Sequence, residues 1–100
     1  MHFNPELIAH LNHRLYGIFQ RVSQYDRAAF NEYFDLLLLE AAAVLLSFGV
    51  ESEECPREAR RLLQEILRAV CSQNLPQIAS EGAFLWWRKK FRALVARYYD

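Results

Sequence analysis

Residues 34–50 read FDLLLLEAAAVLLSFGV, and the fold turns on what this stretch can be. A bilayer span needs about 20 nearly charge-free residues. This run is shorter and holds Asp35 and Glu40, so it is not a membrane span. It is instead the second half of a helix that Asp26 can cap and that runs to about Phe48, where Gly49 suits a left-handed terminating position. Its main stripe is Phe30, Phe34, Leu37, Ala41, Val44, Leu45 and Phe48, while Leu36, Leu39, Ala43 and Leu46 lie on the opposite side. A helix that is apolar all round is packed on more than one side. The sequence therefore predicts that this helix lies at the centre of the fold or of a dimer.

The flanking segments supply further helices. Asn4-Pro5-Glu6 is a helix start, with a capping amide, a proline suited to the first turn and an acid at the positive end of the dipole. Ile8, Leu11, Leu15, Ile18 and Val22 then recur at three- and four-residue steps, widened by Leu7 and Phe19, and the helix should fade around Ser23 to Tyr25. After an acidic connector from Val50 to Cys55, Pro56 opens a third helix with the cleanest pattern of all. Ala59, Leu62, Leu63, Ile66, Leu67 and Val70 face one way, and Arg57, Arg61, Gln64, Glu65 and Arg68 face the other. Asn74-Leu75-Pro76 breaks it. A fourth helix begins near Pro76 or is capped afresh at Ser80, because Gly82 weakens a continuous reading, and its inward stripe is Phe84, Trp87, Phe91, Leu94, Val95 and Tyr98. The expected fold is all-α over residues 1–100 as one domain, either a four-helix up-and-down bundle or an intertwined helical homodimer.

Composition bounds the function. Of the 100 residues, 53% are apolar and 14% aromatic, more than one small core needs, which favours a homodimer. The formal net charge is zero, so there is no global attraction to nucleic acid or anionic lipid. The charge is nonetheless unevenly placed: residues 26–58 carry two arginines against eight acids, and residues 59–100 carry eight bases against three acids. Two cysteines, Cys55 and Cys71, are too few for a disulfide framework and fit a reducing compartment. With no secretory pattern at the N-terminus, a cytoplasmic location is expected.

Trp86 is the anomaly in the chain. At about 100° per residue it falls away from the Phe84, Trp87, Phe91 stripe, on the side of Lys89, Lys90, Ala93 and Arg97. An exposed indole beside small and basic residues is the composition of an interface anchor, so Trp86→Ala is expected to leave the fold intact and weaken association. Arg57, Arg60, Arg61 and Arg68 of the third helix extend this into an expected basic groove between the third and fourth helices. The function read from these residues is a non-catalytic protein-interaction module, an adaptor, assembly factor or regulator. Its partner-binding residues would be Trp86, Lys89, Lys90, Ala93, Arg97, Arg57, Arg61 and Arg68. The same aromatic and cationic run also suits nucleic acid, by base stacking and phosphate neutralisation, or peripheral attachment to an anionic membrane surface.

Other constellations carry less. Glu6, His10 and His13 share one side of the first helix and have metal-ligand chemistry, but a closed site needs a fourth donor. Glu40 interrupts the apolar run and is expected at its edge, reaching solvent or an arginine. The cysteines form no Cys-x-x-Cys, no order of Ser, His and Asp suggests a triad, and three glycines cannot build a phosphate-binding loop. No catalytic residue, cofactor or metal is assigned, and no enzymatic activity is expected.

Overall fold

The computed structural model describes residues 4–72 and 74–99. Five helices follow one another: α1 Pro5–Ser23, α2 Arg27–Ser47, α3 Cys55–Ser72, α4 Leu75–Glu81 and α5 Ala83–Tyr99. The expectation of four helices is corrected at Gly82. That residue sits at φ +90°, outside the helical region, and splits the predicted fourth helix into the short α4 and the longer α5. The described residues form no strand, and no helix among them is long and apolar enough to cross a membrane.

The helix ends follow the local chemistry. Asn4 Oδ1 accepts from Leu7 N at 2.7 Å, and Asp26 Oδ1 accepts from Ala28 N at 2.9 Å. Between α1 and α2 the chain turns through Tyr25, a non-glycine residue at φ 60°, in the place where a C-terminal glycine is usual. The Tyr25 and Asp26 amides donate back to Val22 and Arg21 carbonyls at 2.9 and 3.1 Å, which closes the last turn of α1. Arg21 then fastens the corner by donating to Asp26 and to Glu32. At the far end of α2, Gly49 takes φ +88°, as its sequence position requires.

One core closes within the chain. Leu15, Ile18, Phe19 and Val22 of α1 meet Tyr33, Leu37, Ala41 and Leu45 of α2, and α3 adds Ala59, Leu62, Leu63 and Val70. Between them lies an aromatic cluster. Phe84, Trp87 and Phe91 stack along α5 with ring centroids 5.9 and 5.1 Å apart, and Phe19 tilts against Tyr33 at 6.2 Å. The Tyr33 hydroxyl donates to the Leu63 carbonyl at 2.8 Å, linking α2 to α3. Burial pushes that hydroxyl up from its ordinary range, with the Trp87 indole acting in the opposite direction.

Trp86 belongs to this interior. It is 4% exposed and meets Phe19 edge-to-face, with centroids 5.8 Å apart. The expectation of a surface indole is therefore overturned, because α5 packs against both α1 and α4 and the indole meets Phe19 of α1. Asn12 sets that turn in place. From the middle of α1 its Oδ1 accepts from the Phe84 and Leu85 amides at 2.9 and 3.4 Å, acting as an N-cap supplied by another helix. Gly82 leaves the room for it, since a Cβ there would lie 2.8 Å from Asn12 Nδ2.

Candidate interaction surfaces

Three seams between helices carry the residues singled out in the sequence. The α3–α5 seam is a groove of about 260 Å³ lined by Glu65, Ile66, Ala69, Lys90, Ala93, Leu94 and Arg97. Three of the expected partner-binding residues, Lys90, Ala93 and Arg97, thus line one groove. Ala69 and Ala93 are short, so the floor is open, while Ile66 and Leu94 make it apolar. Lys90 and Arg97 have no carboxylate partner among the described residues.

The remaining expected residues separate from this groove. Arg61 lies beside it, but its charge is taken up: it donates to Glu58 at 2.7 Å and to Glu65 at 3.5 Å, and its guanidinium covers the Tyr98 ring at 4.8 Å. Arg57 lies further along α3, exposed, with Glu54 at 3.7 Å. Arg68 is on the other flank of α3, in the seam with α2, where it lines a groove with Phe30, Phe34, Gln64, Leu67 and Cys71. Lys89 is exposed but lines neither groove. The predicted continuous basic groove is therefore corrected: acids of α3 and its preceding turn neutralise two of its arginines, and a third points to a different seam.

Near the C-terminal end of α5 the seam is tied by tyrosines. Tyr99 donates to Glu58 Oε2 at 2.6 Å, and Tyr98 donates to Glu65 Oε1 at 3.3 Å. The Tyr99 hydrogen bond, and after it Arg61, holds the Glu58 carboxyl below its usual range. The tyrosine pair was legible as a residue type in the sequence, but its acceptors lie more than 30 positions away.

The third seam, between α1 and α2, holds Leu7, Leu11, Leu36, Leu39, Glu40, Ala43 and Phe84. Here Glu40 reaches Arg88 of α5 at 3.5 Å, the arginine that its place at the edge of the apolar run called for. The outer rim is unusual: Leu39 is 85% exposed, Leu46 51% and Leu7 42%. This is the second stripe of α2, which the sequence placed against a further packing partner, and the described residues leave it exposed.

The remaining candidates are dispersed. Glu6, His10 and His13 are exposed on α1, and the described residues contain no group of three or more side chains arranged to hold a metal. Cys55 is buried with its thiol 3.7 Å from the Val50 carbonyl, and Cys71 is exposed. Comparison with known proteins gives no match to a protein-family model, a curated protein or a solved structure.

Proposed function

We propose that the chain is a non-catalytic protein-interaction module whose α3–α5 groove takes a helical segment bearing acids beside an apolar stripe. The observation that carries this reading is the pairing of an apolar floor, Ile66, Ala69, Ala93 and Leu94, with two unneutralised cations, Lys90 and Arg97, on its rim. An amphipathic helix laid in such a groove buries its apolar side on the alanines and meets the cations with its carboxylates. Charge on a rim selects the partner and speeds encounter, while the floor supplies the burial. Recognition here makes and breaks no covalent bond.

The nucleic-acid reading loses its support at the aromatics. Base stacking needs exposed rings, but Trp86, Trp87 and Phe91 are buried, and the half-exposed Tyr98 has its face under Arg61. The membrane reading loses the same residues.

Titration with a synthetic amphipathic helix, leucine on one side and glutamate along its flank, tests the proposal. Binding should weaken about tenfold or more in the double variant Lys90→Glu, Arg97→Glu and should be unaffected by Arg68→Glu. Equal binding by wild type and double variant would contradict it, as would tighter binding to a random single-stranded oligonucleotide at low salt.

A further inference from the structure

The groove between α2 and α3 is a separate surface and does not depend on the reading given to the α3–α5 groove. We propose that it binds a small aromatic carboxylic acid, with the ring against Phe30, Phe34 and Leu67 and the carboxylate held by Arg68.

The groove has a volume of about 530 Å³. Small-molecule sites run from roughly 300 to 1,000 Å³ and combine an apolar, aromatic-rich wall with a few placed polar groups. The lining here has that composition. Phe30 and Phe34 stand one turn apart on α2 and are half-buried, so part of each ring is open to a ligand. Leu67 of α3 is 6% exposed and closes the floor. Phe34 already packs edge-to-face on Tyr33, with centroids 5.3 Å apart, so little of its freedom remains to be lost on binding. A further ring gains offset or edge-on contact with such a wall, beyond what its buried area supplies.

Length limits the occupant. The α3 side of the groove runs from Gln64 to Cys71, two turns or about 10 Å of helix. One or two fused rings with a short acid arm fill that length, and a long acyl chain overruns it.

The polar side is cationic. Arg68 is exposed, forms no ion pair with a described residue, and follows Gln64 by one turn on α3. A guanidinium fork matches a carboxylate through two parallel hydrogen bonds, and a neighbouring glutamine amide can donate a third. One cation in the lining balances a single negative charge and leaves a phosphate dianion uncompensated. None of the described lining residues is an acid. The acids adjoining them in sequence are directed elsewhere or lie outside the lining. Glu65 lines the α3–α5 groove and accepts from Arg61 and Tyr98, Glu32 is paired with Arg21, and Asp35 is exposed without lining this groove.

Cys71 reports occupancy. It lines the groove and is exposed, while Cys55 is buried, so a neutral alkylating agent reaches Cys71 first. Alkylation of the full chain by iodoacetamide, followed by intact mass, is compared with 1-naphthaleneacetate and with its primary amide, which keeps the rings and loses the charge. The acid should slow alkylation saturably, with a midpoint at or below about 1 mM, and the midpoint of the amide should lie about tenfold higher. Arg68→Gln should bring the acid to the midpoint of the amide and leave the amide where it was. Arg60→Gln, an exposed cation of α3 outside the groove, should move neither. Phe30→Leu, which keeps an apolar wall without the ring, should raise both midpoints. Equal midpoints for acid and amide in wild type overturn the proposal, as does an absence of protection by the acid up to about 10 mM. Acid binding unchanged in Arg68→Gln, or both midpoints unchanged in Phe30→Leu, overturns it as well. Lys90→Glu, Arg97→Glu should leave protection by the acid intact, so this proposal and that for the α3–α5 groove fail separately.

Discussion

Helices α2 and α5 both carry large apolar side chains away from their main stripe, and the fold treats the two in opposite ways. In α5 that residue is Trp86, 4% exposed; in α2 it is Leu39, 85% exposed. Hydrophobicity does not separate them. What differs is the neighbourhood: α5 starts directly after α4, its first amides are capped by Asn12 of α1, and Phe19 meets the indole edge-on. The second half of α2 is packed on its inner side alone, so its outer stripe is left at the surface. Off-stripe residues are thus interior or exterior according to which element follows in the chain and where it is tied.

The strongest way to break this contrast is to truncate each residue under dilute conditions. Trp86→Ala should cost about 3–5 kcal/mol, the usual range for emptying a buried aromatic site. Leu39→Ala should stay within about 0.5 kcal/mol, as exposed substitutions do. Urea denaturation of both variants reads the two values, and equal losses would dissolve the distinction.

A smaller effect sharpens the account of why α5 sits where it does. Asn12→Ala removes the acceptor of the Phe84 and Leu85 amides and should lower stability by about 1–2 kcal/mol. Hydrogen exchange should quicken at Phe84 and Leu85 and leave the α2 amides unaltered. A uniform change across both helices would mean that the cap does not act on α5 alone.

Smaller again is the turn that joins α1 to α2. Tyr25 holds φ 60° while 84% exposed, so it carries the left-handed penalty and little burial in return. Tyr25→Gly relieves that strain, offset by the greater freedom of glycine in the unfolded chain, and should stabilise by roughly 0.5 kcal/mol. A loss on thermal unfolding would show that the ring contributes more than its exposure suggests.

Acid titration gives the shallowest effect. The carboxyls of Asp26, Glu32 and Glu58 lie below their ordinary values, the first two through hydrogen bonds from Arg21, the third through Tyr99 and then Arg61. A depressed folded-state value stabilises fully above the unfolded value and is lost as pH falls through the folded one. Stability should therefore be level above about pH 4.5, the ordinary glutamate value, and decline below it. Glu58→Gln should flatten part of that decline, as followed by denaturant midpoints against pH.

Much of the fold is written locally. Asn4-Pro5, Asp26, Gly49 and Pro56 mark helix ends through dihedral preference and capping chemistry that act within a few residues, and the structure begins or ends helices at those places. Gly82 signalled a weak point without saying that the chain would break there, because the break depends on Asn12, 72 residues from Phe84 in sequence. A mid-helix asparagine was the visible trace of that cap, but periodicity gives no address for it. The candidate site divides along the same line. Lys90, Ala93 and Arg97 share a helix and a groove, so spacing alone brought them together. Arg57, Arg61 and Arg68 were grouped with them by charge, yet their partners are set by tertiary packing and by nearby acids. The second α2 stripe was readable as apolar, while which of its two faces the chain would cover was not.

The central claim is that position 86 is interior, and fluorescence measures this directly because Trp86 and Trp87 are the only tryptophans. In Trp87→Phe, which leaves the indole of Trp86 as sole reporter, emission from the folded protein should be blue-shifted and acrylamide should quench it weakly until urea unfolds the chain. Emission and quenching already matching free indole in water before unfolding would contradict the account.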